Sequence, residues 1–377
     1  MAGWNQAGRR ATTGRGHPGP DRVGLARTPA WLAGQPTRSH CMLVDGGIGF
    51  DAADAATRAR QAEEDGYTGV WCPETGHDAF LPLALAAPHT EHLELGTGIA
   101  VAFARNPMSM ATVANDVQLY SKGRFLLGLG SQIKPHIEKR FSMPWSHPAA
   151  RMREYISAMH AIWACWNEGT ELNFRGDYYT HRLMTPFFNP GPNPYGPPKV
   201  FLAAVGNLMT EVAGEVADGL IVHGFTTERY VREVTLPALD RGLARSGRAR
   251  SDVQISYPAF VVTGADEQGT AAAAQAVRSQ IAFYGSTPAY LPVLELHGWG
   301  DLHRDLNRLS KQGAWAEMAN LIDDDVLHAF AVVGDLEQVP SLLTSRFGDV
   351  VDRVGFYAPY PMPRERWQQV LAGFATA

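Results

Sequence analysis

Short apolar runs alternate along most of the chain with stretches whose apolar residues recur at helical spacing. From Cys41 onward the runs predict eight strands. These are Cys41–Ile48 (CMLVDGGI), Gly69–Glu74 (GVWCPE), Leu93–Val101 (LELGTGIAV), Arg124–Gly130 (RFLLGLG), Lys199–Val205 (KVFLAAV), Gly219–His223 (GLIVH), Val253–Thr263 (VQISYPAFVVT) and Arg353–Tyr357 (RVGFY). The intervening periodicity predicts helices from about Ala52 to Asp65, stopped by Gly66, and near Phe80–Pro88. A third opens at Asn106-Pro107, a cap residue followed by proline at the first helical position, and ends before Gly123. Further helices are predicted over Pro148–Trp166, Met209–Ala217, Glu228–Ser246, Glu267–Phe283 and Leu336–Phe347. The helix over Pro148–Trp166 sets Met152, Tyr155, Ile156, Met159, Trp163 and Trp166 on one face.

Several of these strands are continuously apolar, as expected of a parallel sheet buried on both faces. Eight strands alternating with eight helices favour a closed (β/α)8 TIM-type barrel over an open doubly wound sheet. The open alternative would carry G-x-G-x-x-G after its first strand. Here that strand ends in Asp45-Gly46-Gly47, and Gly128-Leu129-Gly130 has Ile133 where a third glycine would fall. Two insertions are predicted. One follows the fourth strand, Lys134–Pro198, with a hairpin over Leu172–Thr180; the other follows the seventh helix, Tyr284–Ala331.

Residues 1–40, rich in Gly, Pro, Arg and Ala, show neither periodicity and read as a disordered extension to a barrel domain over 41–377. Met42 opens the first patterned stretch and is read as the native start, which intact mass from the source organism would test. The formal net charge of −5 offers no field for nucleic acid or an anionic membrane, and no apolar run has the roughly 20 residues of a membrane span. Three cysteines, Cys41, Cys72 and Cys165, suit neither a disulfide framework nor a zinc knuckle. Cys41 and Cys72 read as buried thiols in a cytoplasmic protein.

In such a barrel the site lies at the C-terminal ends of the strands. Those ends present Asp45; Glu74, Thr75, His77 and Asp78; Thr97, Gly98 and Ala100, then Arg105; Gly130, Ser131 and Gln132; Gly206 and Asn207; His223; and Tyr357 with Tyr360. Tyr257 joins them if the seventh strand bends at Pro258. No His/Asp constellation suggests a catalytic metal, and the spaced His89 and His92 fall on the opposite rim. Small, polar and aromatic groups with few charges suit a large planar cofactor. Gly206-Asn207 precedes a helix whose free N–H groups suit a phosphate, or Gly206 simply ends its strand. Thr97-Gly98-Ile99-Ala100 suits a bulge under a flat ring, or Gly98 simply relieves crowding.

The stretches Ala62–Phe80 (AEEDGYTGVWCPETGHDAF), Leu95–Val101 (LGTGIAV), Arg105-Asn106-Pro107, Ser121–Gly130 (SKGRFLLGLG), Leu202–Gly206 (LAAVG) and Glu211–Asp218 (EVAGEVAD) together resemble the bacterial luciferase-like monooxygenase superfamily. The resemblance is to its actinobacterial coenzyme F420-dependent oxidoreductases. It implies a barrel, a homodimer, and a cofactor at the C-terminal rim: coenzyme F420, with FMN as the alternative. It also implies a non-proline cis peptide in the third strand, at Gly98–Ile99. By position Thr97, Gly98, Ile99 and Ala100 would back the ring, and Gly130, Ser131 and Gln132 would line it. Gly206, Asn207 and Leu208 would hold phosphate. Glu74 and His77 match positions near the reactive ring. The chain carries Ser131 where the sugar-phosphate dehydrogenases of this group carry a catalytic glutamate, so their acid–base mechanism is not carried over.

The reading that follows is hydride transfer between a small organic substrate and the deazaflavin. His77 is the candidate acid or base, oriented by Asp45 and Glu74, and His223 contacts cofactor or substrate. The insertions would supply substrate walls through Phe141, Trp145, Tyr284, Tyr290 and Trp299. An FMN-dependent monooxygenase and a non-catalytic cofactor-binding protein are the alternatives.

Overall fold

The computed structural model describes residues 42–49 and 51–374. The expected disorder of 1–40 and burial of Cys41 lie outside them. Twelve strands form: β1 (Leu43–Gly47), β2 (Gly69–Cys72), β3 (Glu94–Thr97), β4 (Ala100–Val101), β5 (Phe125–Gly130), β6 (Phe174–Arg175), β7 (Thr180–His181), β8 (Lys199–Ala204), β9 (Gly219–Val222), β10 (Gln254–Val262), β11 (Ala331–Val333) and β12 (Arg353–Tyr357). Eight of them close a ring of parallel pairings: β1 to β2, β3, β5, β8, β9, β10, β12 and back to β1. This is the (β/α)8 TIM-type barrel the alternation predicts. β4 continues β3 along β5, and β6 with β7 form the predicted hairpin inside the first insertion.

Local chemistry explains the outer layer. The helix Ala55–Asp65 stops at Gly66, which takes φ 92°, and Asn106 caps Pro107–Tyr120 by accepting from Ser109 N–H at 2.9 Å. The predicted face of Pro148–Glu168, from Met152 to Trp166, is buried. Its partners include the helices Pro107–Tyr120 and Asn207–Val216. The predicted helix over Glu228–Ser246 contains a wide turn at Val231–Thr235, just before Pro237 removes a backbone donor. Cys72 and Cys165 are free and buried. Among the described residues, no helix is long and apolar enough to cross a membrane.

Three expectations change. The seventh strand does not bend at Pro258: β10 runs through it to Val262, and Pro258 lies beyond the last rung to β9. Tyr257 is therefore a buried mid-strand residue, packed on Phe347 at 4.9 Å rather than at the rim. An unexpected helix, Arg364–Phe374, follows the eighth barrel strand, so Val339–Phe347, found before that strand as expected, is not the last. Finally, Ala331–Val333, expected inside an insertion, extends the sheet beside the far end of β10.

Contacts across the ring define the barrel interior. Arg353 opens β12 and is buried. Its guanidinium grips Asp45 of β1 at 2.7 and 2.8 Å and Glu94 of β3 at 2.6 Å. Above this plug, Trp71 of β2 meets Phe201 of β8 edge to face, centroids 5.6 Å apart. Glycines make the space. A Cβ on Gly96 would stand 2.4 Å from the Trp71 ring, and one on Gly219 would stand 2.2 Å from the Phe201 ring. Trp71, Ala203 and Ile221 keep partial exposure, so the lumen opens toward the C-terminal rim.

Candidate active site

The third strand ends in a shelf. Gly96 pairs with Leu126 and Ala100 with Leu129, so four steps on one strand match three on the other, which is a bulge of one residue. Within it the Gly98–Ile99 peptide is cis, at the predicted bond. Thr97 is buried, and its hydroxyl donates to Gly128 O at 2.8 Å. A Cβ on Gly128 would fall 1.8 Å from Thr97 O, so only glycine admits the bulged carbonyl. Gly130 likewise leaves room for the Ile99 side chain, which a Cβ there would meet at 2.8 Å. Ala100 is buried beneath. Beyond Gly130, Ser131 and Gln132 are half-buried, and Gln132 takes a left-handed φ of 59° that turns the chain out of the barrel.

Glu74 holds this shelf from the side. It accepts Val101 N–H at 2.7 Å, and Arg105 donates to both of its oxygens at 2.8 and 2.9 Å. Arg105 also donates to Asp78 at 2.8 Å, and these two carboxylates hold its guanidinium firmly charged despite desolvation. With both oxygens occupied, Glu74 braces β4. Asp45 is likewise engaged. Its oxygens take Arg353 and the Trp71 indole N–H (2.9 Å), deep in the lumen and away from the rim. His77 lies exposed on the loop after β2. Arg140, from the turn after β5, donates to Thr75 O on that same loop.

At the end of β8, Gly206 is the cap of the helix Asn207–Val216, with extended φ −105°. Met209 and Thr210 already bond back to Gly206 O. The N–H groups of Asn207 and Leu208 precede the first intrahelical bonds, and both residues are exposed. This exposed start, with no Cβ at its cap, fits a phosphate.

His223 follows β9. Its Nδ1 accepts Phe225 N–H at 3.0 Å, which puts the proton of the neutral ring on Nε2, 3.0 Å from the Tyr290 hydroxyl. Burial pushes its pKa down to about 4. The ring stacks on Tyr290 (4.6 Å) and meets Tyr284 edge-on (4.8 Å). Tyr284 in turn shares a 2.7 Å hydroxyl contact with Tyr357, the last residue of β12. Of the five aromatic residues expected in the substrate walls, Tyr284 and Tyr290 thus join His223. Trp145 packs on Phe103 and Trp299 stacks on His297. Phe141 is half-buried, its ring beneath the Arg140 guanidinium at 4.8 Å.

Trp71 and Arg353 escaped the sequence reading as site-forming residues. A signal existed for Trp71: glycines at alternating positions 96 and 98 of one strand mark a large ring facing them. Arg353 is an arginine opening an apolar strand, and its partner Asp45 lies 308 residues away.

The model of the luciferase-like monooxygenase family matches residues 32–352, and the chain belongs to that family. Over 313 residues it is 59% identical to protein Rv1360 of Mycobacterium tuberculosis, covering 83% of this chain and 92% of the relative. It is 28% identical over 322 residues to the putative coenzyme F420-dependent oxidoreductase Rv3520c of the same organism, covering 81% and 86%. Among solved structures, the coenzyme F420-dependent tetrahydromethanopterin reductase of Methanopyrus kandleri shares the fold. Its TM-score is 0.72 at 20% identity, over 89% of this chain and 98% of that one.

Proposed function

We propose that the protein is an oxidoreductase that moves a hydride between a small organic substrate and coenzyme F420. The bulged shelf at Gly98–Ile99 carries this reading: a flat stretch of backbone at an open barrel mouth, braced by Glu74 and by Thr97. When bound, the deazaflavin would supply the hydride chemistry. The chain's own residues then orient and shield. Gly98, Ile99 and Ala100 would back the ring, and Ser131 and Gln132 would flank it. The amides after Gly206 would take a phosphate of the cofactor tail. The Trp71–Phe201 pair and the ion pairs beneath it close the lumen to water from below. His77, exposed in the loop after β2, would hold or release the proton that accompanies transfer, at an imidazole nitrogen.

Titrating purified protein with coenzyme F420 and, separately, with FMN tests this through cofactor fluorescence. Saturable F420 binding with weaker FMN binding is the expected result. FMN binding without F420 binding would replace this reading with a flavin-dependent monooxygenase. Binding of neither would refute both.

A further inference from the structure

The quartet of His223, Tyr284, Tyr290 and Tyr357 lies apart in sequence from the residues proposed above to back the ring and hold the phosphate. It joins the ends of β9 and β12 to the insertion that follows the helix Glu267–Gly285. All four side chains are half-buried, and His223 and Tyr357 stand at the C-terminal ends of β9 and β12, on the side of the barrel where the shelf lies. Gly224 makes room for the group, since a Cβ there would stand 2.9 Å from the Tyr357 ring. Tyr357 is fixed from the side by stacking on Phe260, its register partner on β10, at 4.6 Å and 16°.

The hydrogen bonds leave a defined surplus. His223 Nδ1 is occupied by a backbone N–H, so its single proton sits on Nε2 and points at the Tyr290 oxygen. The Tyr290 hydroxyl therefore acts as acceptor toward His223, and its own hydrogen is directed elsewhere. In the Tyr284–Tyr357 pair only one hydrogen lies between the two oxygens, which leaves a second hydroxyl hydrogen. Neither phenol ionises near neutral pH: burial raises Tyr290 to about 12, and burial with the Tyr284 contact raises Tyr357 further. The hydrogen bonds and ring contacts of the quartet run to aromatic rings and backbone, with no carboxylate, lysine or arginine side chain among them.

We propose that Tyr290, locked as a donor by His223, is the specificity-determining residue of the substrate wall. Its substrate class is uncharged, planar or aromatic molecules bearing a carbonyl-type oxygen. The rings exclude hydrated ions, and an oxygen acceptor is the group that satisfies the hydroxyl hydrogen once a bound molecule displaces water from it. This deepens the oxidoreductase reading, on which its meaning as a substrate wall rests.

Acetophenone and its apolar analogue ethylbenzene are suitable probes for the protein without cofactor. One neutral hydrogen bond of about 1 kcal/mol corresponds to roughly fivefold in affinity. Calorimetry should show acetophenone binding about fivefold tighter than ethylbenzene, and Tyr290→Phe should erase the difference while leaving ethylbenzene affinity unchanged. An unchanged preference in Tyr290→Phe would overturn the proposal. Should that variant fold poorly, the infrared carbonyl stretch of acetophenone bound to the wild-type protein decides. A shift to lower frequency supports a hydroxyl donor, and the frequency found in an apolar solvent overturns it. The cofactor titration is read by a separate signal. Loss of carbonyl preference with intact F420 binding refutes only this proposal, and the converse result refutes only the oxidoreductase reading.

Discussion

Gly128→Ala tests whether the bulge positions the cofactor shelf. The substitution adds one methyl group at a position where Thr97 O would lie 1.8 Å away. Ordinary contact needs roughly 3.5 Å, so the backbone must part by about 1.7 Å. Neither side yields easily. Thr97 is tied to Gly128 O through its hydroxyl, and Gly128 pairs in register with Phe201 of β8. Overpacking of a close-packed site costs about 1–3 kcal/mol, and this contact is with backbone, so the upper part of that range is expected. The functional effect should be of the same order as the loss of stability, because a displacement of about 1 Å at a reacting group costs on the order of a hundredfold, or about 2.7 kcal/mol. Urea denaturation read by far-UV circular dichroism gives the first number. Fluorescence titration with coenzyme F420 at a concentration where the variant is folded gives the second. A variant within about 0.5 kcal/mol of wild type, with unaltered cofactor affinity, would refute the steric argument.

Three further outcomes are expected. Arg353→Met removes one partner from a buried ionic group and leaves Asp45 and Glu94 without their counter-charge, so urea denaturation should show a loss of about 3–5 kcal/mol. Glu74→Gln keeps the shape but not the charge toward Arg105. It should cost roughly 1.5–3 kcal/mol in the same assay and weaken cofactor binding without abolishing it. Burial lowers the folded-state pKa of His223 from its ordinary 6.5 to about 4, so the unfolded chain takes up a proton there first. Its contribution to stability is therefore present above about pH 6.5 and is lost progressively as pH falls toward 4. Denaturation midpoints of wild type and His223→Gln at several pH values should differ in slope across that window, and parallel curves would contradict the assignment.

The barrel was legible because its strands are apolar runs long enough to stand out, and Gly66 and Asn106-Pro107 punctuate the helices by local chemistry alone. The shelf was legible for the same local reason, since Thr97-Gly98-Ile99-Ala100 breaks an apolar strand with small residues. The C-terminal helix was overlooked although Trp367, Val370, Leu371 and Phe374 repeat at helical spacing, because it follows the last strand and opens with Arg364-Glu365-Arg366. Ala331–Val333 is too short to carry a periodic signal. The partners of Asp45 and Glu74 were not legible for a different reason. A carboxylate at a strand end reads the same whether it faces substrate or an arginine, and the arginines that claim these two lie 308 and 31 residues away. His223 follows its strand directly, but its tautomer depends on a backbone amide and on Tyr290, 67 residues further on.

The plug of Asp45, Glu94 and Arg353 also bears on how the chain is made. It joins the first barrel strand to the last, and the arginine is the residue that opens that last strand. A ribosome emits Asp45 and Glu94 more than 250 residues before their counter-ion. Until then the two carboxylates face a ring with a missing stave and remain hydrated. Release of the final stretch is thus the event that permits their dehydration and seals the lumen. Chains truncated before Arg353 should populate an open, protease-sensitive form, whatever the soundness of their earlier βα units.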